Sequence, residues 1–133
     1  MPELHTVSLF KPLTMDAGRI RISVISRPTL DDGITPDERI IKNITHHEWL
    51  REFAPQPKLV GSFKRNEIGW EEYEREYLTF LRTIREKVKL LSNRCLYQKI
   101  TLSCVEDEAI FCHRRLLAEE LQRHQPSLII IHK

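Results

Sequence analysis

Ile20, Ile22 and Val24 alternate with Arg19, Arg21 and Ser23, and this period of two predicts a strand over residues 19–26. One face is apolar and the other polar, the pattern of an edge or half-exposed strand. Thr6 to Phe10 reads as an earlier strand, with a turn at Met15-Asp16-Ala17-Gly18 between the two. Pro28 to Glu38 holds two prolines, a glycine and three aspartates and reads as a loop.

The period then changes to that of a helix. Thr45 and Glu48 form a capping box, and Ile44 and Trp49 occupy the positions of a hydrophobic staple. They predict a helix to about Phe53, stopped before Pro55, with Pro55-Gln56-Pro57 extended. Trp70, Tyr73, Tyr77, Leu81, Ile84, Val88 and Leu91 recur every three or four residues and predict one long helix. Gly69 is its N-cap, and Ser92-Asn93 ends it. Lys99 to Val105 is a strand. Leu128 to Ile131 is another, apolar on both faces and therefore expected in the middle of a covered sheet. Ala109 to Arg123, between them, is a helix, which makes a C-terminal βαβ unit. The predicted fold is α/β: a small mixed, mostly parallel sheet with helices packed on it, in a single domain over 1–133.

Composition narrows the function classes. With 41% hydrophobic and 30% charged residues the chain reads as an ordinary globular domain. Its 21 basic and 19 acidic residues leave a net charge of +2, too little to indicate nucleic acid as a partner. Lys58, Lys64 and Arg65 form only a small basic group. Three scattered cysteines do not make a secreted disulfide scaffold. The N-terminus lacks the charged and apolar regions of a signal peptide, and no apolar run approaches the ~20 residues that cross a bilayer. A cytoplasmic protein with reduced thiols and no membrane association is expected.

The chemistry gathers between Cys104 and Arg114, where a strand ends and a helix opens on Cys112-His113-Arg114. Open α/β sheets keep their ligands at such strand ends. At 100° per residue, Arg114 and His113 flank the stripe of Ile110, Leu117 and Leu121, so both lean over the end of the sheet. Guanidinium, imidazole and the N–H groups of the first turn suit a phosphate or carboxylate. The alternative is that Arg114 pairs with an internal carboxylate and His113 is a satisfied buried histidine. The loop Val105-Glu106-Asp107-Glu108 has three acids and no glycine, unlike a phosphate-cradling loop. Cys112 is a candidate nucleophile because a helix N-terminus beside His and Arg lowers a thiol pKa. Cys104, Cys112 and His113 would supply three zinc ligands, but their spacing is not a standard one, and neither metal nor cofactor is expected. Core packing is the first explanation of Trp70, Tyr73 and Tyr77, although a Tyr77 hydroxyl could reach a ligand. His46-His47 read as solvent-facing and Cys95 as packing. No P-loop, G-x-G-x-x-G, H-E-x-x-H or Ser-His-Asp order occurs.

Ile100-Thr101-Leu102-Ser103-Cys104, followed by Phe111-Cys112-His113-Arg114-Arg115-Leu116-Leu117-Ala118-Glu119, resembles the C-terminal signature of the domain-of-unknown-function family 488. Phe53-Ala54-Pro55, Phe63-Lys64-Arg65-Asn66-Glu67-Ile68-Gly69-Trp70-Glu71-Glu72-Tyr73 and Tyr77 form a second matching block. The resemblance implies a small α/β domain of cytosolic microbial or phage proteins and no established activity. The leading expectation is a binder of a small anionic, nucleotide-like or phosphate-bearing ligand, held by Arg114 and His113 with Cys104, Cys112 and Tyr77 lining the site. The rivals are a non-enzymatic interaction protein, possibly a homodimer, and a thiol-dependent enzyme using Cys112.

Overall fold

A computed structural model describes residues 1–30, 32 and 34–133. Asp31 and Gly33, within the loop expected at Pro28 to Glu38, lie outside the described residues. Among the described residues, five strands form one sheet: β1 (Glu3–Ser8), β2 (Ile20–Ser23), β3 (Glu48–Trp49), β4 (Ile100–Cys104) and β5 (Ile129–His132), in the order β3-β2-β4-β1-β5. Every pairing is parallel, so the sheet is wholly parallel instead of mixed. Four helices connect or follow the strands: α1 (Pro57–Lys64), α2 (Trp70–Thr83), α3 (Arg85–Tyr97) and α4 (His113–His124). The expected βαβ unit is β4–α4–β5, with β1 lying between its two strands.

The core forms where helix stripes meet the apolar face of the sheet. Leu4, Ile22, Ile100 and Leu102 pack with Tyr77 and Leu81 of α2, Val88 and Leu91 of α3, and Leu116, Leu117 and Leu121 of α4. The stripe predicted for one long helix is therefore buried as expected, but the helix breaks at Ile84 (φ −115°, ψ 33°). The second half then continues past Ser92-Asn93 to Tyr97, because Ser92 turns its hydroxyl back to the Lys89 carbonyl at 2.9 Å.

Three strand and helix expectations are corrected by tertiary contacts. The segment 45–53 is not a helix. Glu48–Trp49 is a strand beside β2, where the Leu50 N–H donates to the Ser23 carbonyl at 3.0 Å. The sheet edge claims this segment over its capping box, and the Thr45 hydroxyl instead donates to the Ile41 carbonyl. His46 and His47 are also taken up locally: His46 is buried against the Thr45 hydroxyl, and the His47 ring accepts the Arg21 N–H.

β2 is an interior strand, and β5, expected in the middle, is the edge strand beside β1. The polar face of β2 misled because its polarity is satisfied inside the protein. Arg21 is fully buried, with Nε donating to Asp16 at 2.6 Å. Its Nη atoms donate to the carbonyls of Leu9, Lys11, Pro12 and Thr45. Asp16 also meets the Lys133 ammonium. Burial alone would raise the Asp16 pKa, but the hydrogen bonds from Lys133 and Arg21 outweigh it and hold the carboxyl below its usual value.

Candidate functional site

A cleft of about 860 Å³ opens at the C-terminal ends of β2 and β4. Ile25, Ser26 and Arg27 follow β2 on one side, and Cys104, Val105 and Glu106 continue from β4. Pro57, Val60, Gly61 and Lys64 of α1 form another wall, at the i, i+3, i+4, i+7 spacing of a single helix face. α1 was not anticipated, although Pro57 at its first position is a helix-start signal. Asn66, in the left-handed region at φ 58°, ends it, with the Glu67 N–H on the Ser62 carbonyl at 2.9 Å.

Gly61 leaves room beside it for a flexible side chain. A Cβ there would lie 2.9 Å from Arg65 Nη1, so its absence lets the Arg65 guanidinium fold back across α1 along the cleft wall. Arg27, Lys64 and Arg65 bring positive charge to the lining, and Asp32 and Glu106 bring negative charge. Phe63, Tyr73 and Phe111 add aromatic surface. Phe63 and Tyr73 are 5.0 Å apart, and Trp70 braces Phe63, Tyr73 and Phe111 at 5.6, 5.1 and 5.4 Å between ring centroids. Sequence reasoning placed Trp70 and Tyr73 in the core stripe and did not find Phe63 or Phe111. Both meet Trp70, which brings together segments nearly fifty positions apart in a way no local period reveals.

Cys104, Cys112 and His113 line the same cleft. Cys104 ends β4 and Cys112 is the N-cap of α4, so the turn between them returns one thiol to the other. Their sulfurs face each other in direct contact, with the two Cα atoms 7.7 Å apart. The two thiols expected to line the site are thus brought together. Cys95 remains a buried free cysteine, its thiol pushed up to about 11 by burial.

His113 is buried and held by one hydrogen bond, from Nε2 to the Val24 carbonyl at 2.7 Å. A carbonyl only accepts, so the proton is on Nε2 and the lone pair is on Nδ1. Burial lowers the His113 pKa to about 4, with Arg114 acting in the same direction and the Val24 bond opposing it, so the ring is neutral near pH 7.

Arg114 is fully buried and stands behind the sulfurs instead of on the cleft wall. Nη1 donates to the Glu106 carbonyl at 2.6 Å and approaches Cys104 Sγ and Cys112 Sγ at 3.4 and 3.6 Å. Nη2 donates to the Asp107 carbonyl at 3.1 Å, while Nε has no acceptor among the described residues. Burial weighs against its charge, and the nearby Glu106 and Asp107 partly offset that effect. The acid-rich loop is thus held by Arg114 through backbone oxygens. Tyr77 is also off the wall. Its hydroxyl donates to the Phe53 carbonyl at 2.7 Å, burial raises its pKa well above the usual value, and its ring meets His113 edge-on at 5.6 Å. Tyr77→Phe is expected to cost about 1–2 kcal/mol in urea unfolding, because the Phe53 carbonyl loses its buried donor.

The donor atoms of Cys104, Cys112 and His113 lie within 4.8 Å of one another, and by type they suit zinc. However, the guanidinium places positive charge against both sulfurs, where a cation would have to sit, and it favours thiolate or anion there.

Among the described residues no helix is long and apolar enough to cross a membrane. No curated protein and no solved structure matches the chain. A family model described as the Active DUF488-N3 subclade matches residues 5–125, nearly the whole chain and all of the cleft. The protein belongs to the DUF488 family.

Proposed function

We propose that the cleft binds a small phosphate-bearing ligand that is nucleotide-like in carrying a flat ring beside its anionic group. One observation carries this reading: a single cleft is lined by the cationic side chains of Arg27, Lys64 and Arg65 and by the aromatic rings of Phe63, Tyr73 and Phe111. Rings receive a planar group by stacking, and guanidinium groups receive phosphate oxygens in pairs. Asp32 and Glu106 on the same lining limit the net positive charge, which favours a small ligand with its own hydrogen-bond donors over an extended polyanion.

In this reading Cys104, Cys112 and His113 form the floor, with His113 Nδ1 as the acceptor. Arg114 acts from beneath as a buried charge that holds the floor and does not touch the ligand. Tyr77 supports His113. A second reading, thiol chemistry on the bound ligand with Cys112 as nucleophile, is favoured by the Arg114 contact to both sulfurs.

Thermal unfolding of the reduced protein with inorganic phosphate, a nucleoside and the corresponding nucleoside monophosphate tests the binding claim. The monophosphate is expected to stabilise most, by about 1.4 kcal/mol for each tenfold rise in concentration above its dissociation constant. Arg65→Glu and Phe111→Ala, both at exposed positions, should weaken this at least tenfold while the unliganded protein stays folded. Equal and negligible effects of all three compounds would favour the interaction-protein alternative.

A further inference from the structure

Two of the three cysteines sit sulfur to sulfur at the floor of an open cleft, where both border the cavity while remaining almost wholly buried. β4 and α4 are already neighbours in sequence, the pair is only eight positions apart, and the third cysteine is buried elsewhere. Arg114 Nη1 reaches both sulfurs, and among the described residues its hydrogen bonds go to sulfur and backbone carbonyls, with no carboxylate acceptor. A cation placed in this way has little to stabilise in a neutral disulfide. It has a thiolate to stabilise once that disulfide opens.

We propose that Cys104 and Cys112 are a redox-active pair that cycles between disulfide and dithiol by exchange with low-molecular-weight thiols entering through the cleft. The inference uses the same floor as the anion site but does not depend on that reading. In the reductive direction a small thiolate attacks the Cys104 sulfur. The bond between the two protein sulfurs breaks, its electron pair leaves on Cys112, and a mixed disulfide forms between Cys104 and the small thiol. Cys112, as N-cap of a twelve-residue helix and beside Arg114, is the better leaving group. A second small thiolate attacks the outer sulfur of the mixed disulfide, which releases Cys104 as thiolate and the small-molecule disulfide as product. Two electrons pass from two small thiols to the protein pair. The protons lost when those thiols ionise return to the protein sulfurs as they protonate. Oxidation by a small-molecule disulfide is the same sequence in reverse.

The full chain, equilibrated in glutathione buffers of stepped reduced-to-oxidised ratio, acid-quenched, alkylated and read by peptide mass spectrometry, tests this. Cys104 and Cys112 are expected to switch together between doubly alkylated and doubly protected in one two-electron transition. Circular dichroism should stay folded throughout, and Cys95 should remain unmodified until the chain is denatured. Arg114→Gln should shift the exchange constant towards the disulfide by about tenfold, equivalent to about 30 mV. Because that variant removes a buried side chain, Cys112→Ser supplies a second test: oxidised glutathione should trap a stoichiometric adduct on Cys104. The proposal is overturned if both thiols alkylate independently across the whole range, if the pair reduces only on unfolding, or if Cys112→Ser takes up no glutathione. None of these outcomes depends on whether phosphate compounds bind, so failure of the redox pair and failure of the anion site are separable.

Discussion

Arg21→Met is expected to lower the unfolding free energy by about 3–5 kcal/mol, the usual cost of removing one partner from a buried ion pair. Asp16 would keep Lys133 and a long hydrogen bond from the Thr101 hydroxyl, and the carbonyls of Leu9, Lys11, Pro12 and Thr45 would lose a shared donor, two of them at buried positions. Those carbonyls belong to the segments that cover the polar face of the sheet, so one side chain holds several loops at once. Urea unfolding at pH 7 measures the loss, and Asp16→Asn should show a smaller loss because its amide oxygen still accepts from Arg21. A loss below about 1 kcal/mol for Arg21→Met would mean that these loops are held by other contacts.

Stability should also fall steeply in mild acid because of His113. Its folded pKa of about 4 lies below the ordinary histidine value of 6.5, so between these two values the unfolded chain binds a proton that the folded chain refuses. Stability is therefore fully present above about pH 6.5 and drains away as pH falls to 4. The total from this ring is about 3 kcal/mol. His113→Gln, whose amide can still donate to the Val24 carbonyl, should remove most of this slope while other groups keep theirs. Unfolding curves at pH 7, 5.5 and 4 read the difference directly. Parallel pH dependences of the two proteins would show that the imidazole is not held neutral by the fold.

The strand at β4, the helix after it and the apolar stripe from Tyr73 to Leu91 were legible in the sequence because each is set by a local period facing one core. The cysteine-to-arginine turn was legible as a place, since a strand end followed by a helix start fixes it. What could not be read was where polar groups find partners. Arg21 looked solvent-facing only because Asp16 and four carbonyls meet it after the chain folds over the sheet. Thr45 and Glu48 carried a valid helix-start pattern that a neighbouring strand overrode, and Glu48 pairs instead with Arg94 at 2.6 Å. Arg114 was expected over the hollow, but the loop carbonyls of Glu106 and Asp107 draw it inward. The aromatic and cationic walls were missed for a related reason: α1 is short, has no fully buried residue and acquires its meaning only by closing the cleft.

The cleft itself is tested most directly by a two-dimensional 1H–15N NMR titration of the reduced protein with a nucleoside monophosphate. Saturable shifts confined to the amides of Ser26, Gly61, Arg65, Val105, Cys112 and His113, and abolished by Arg65→Glu, are expected. Shifts that fail to saturate, or that gather around Asp16 and Lys133 on the opposite face of the sheet, would contradict the assignment of this cleft as the binding site.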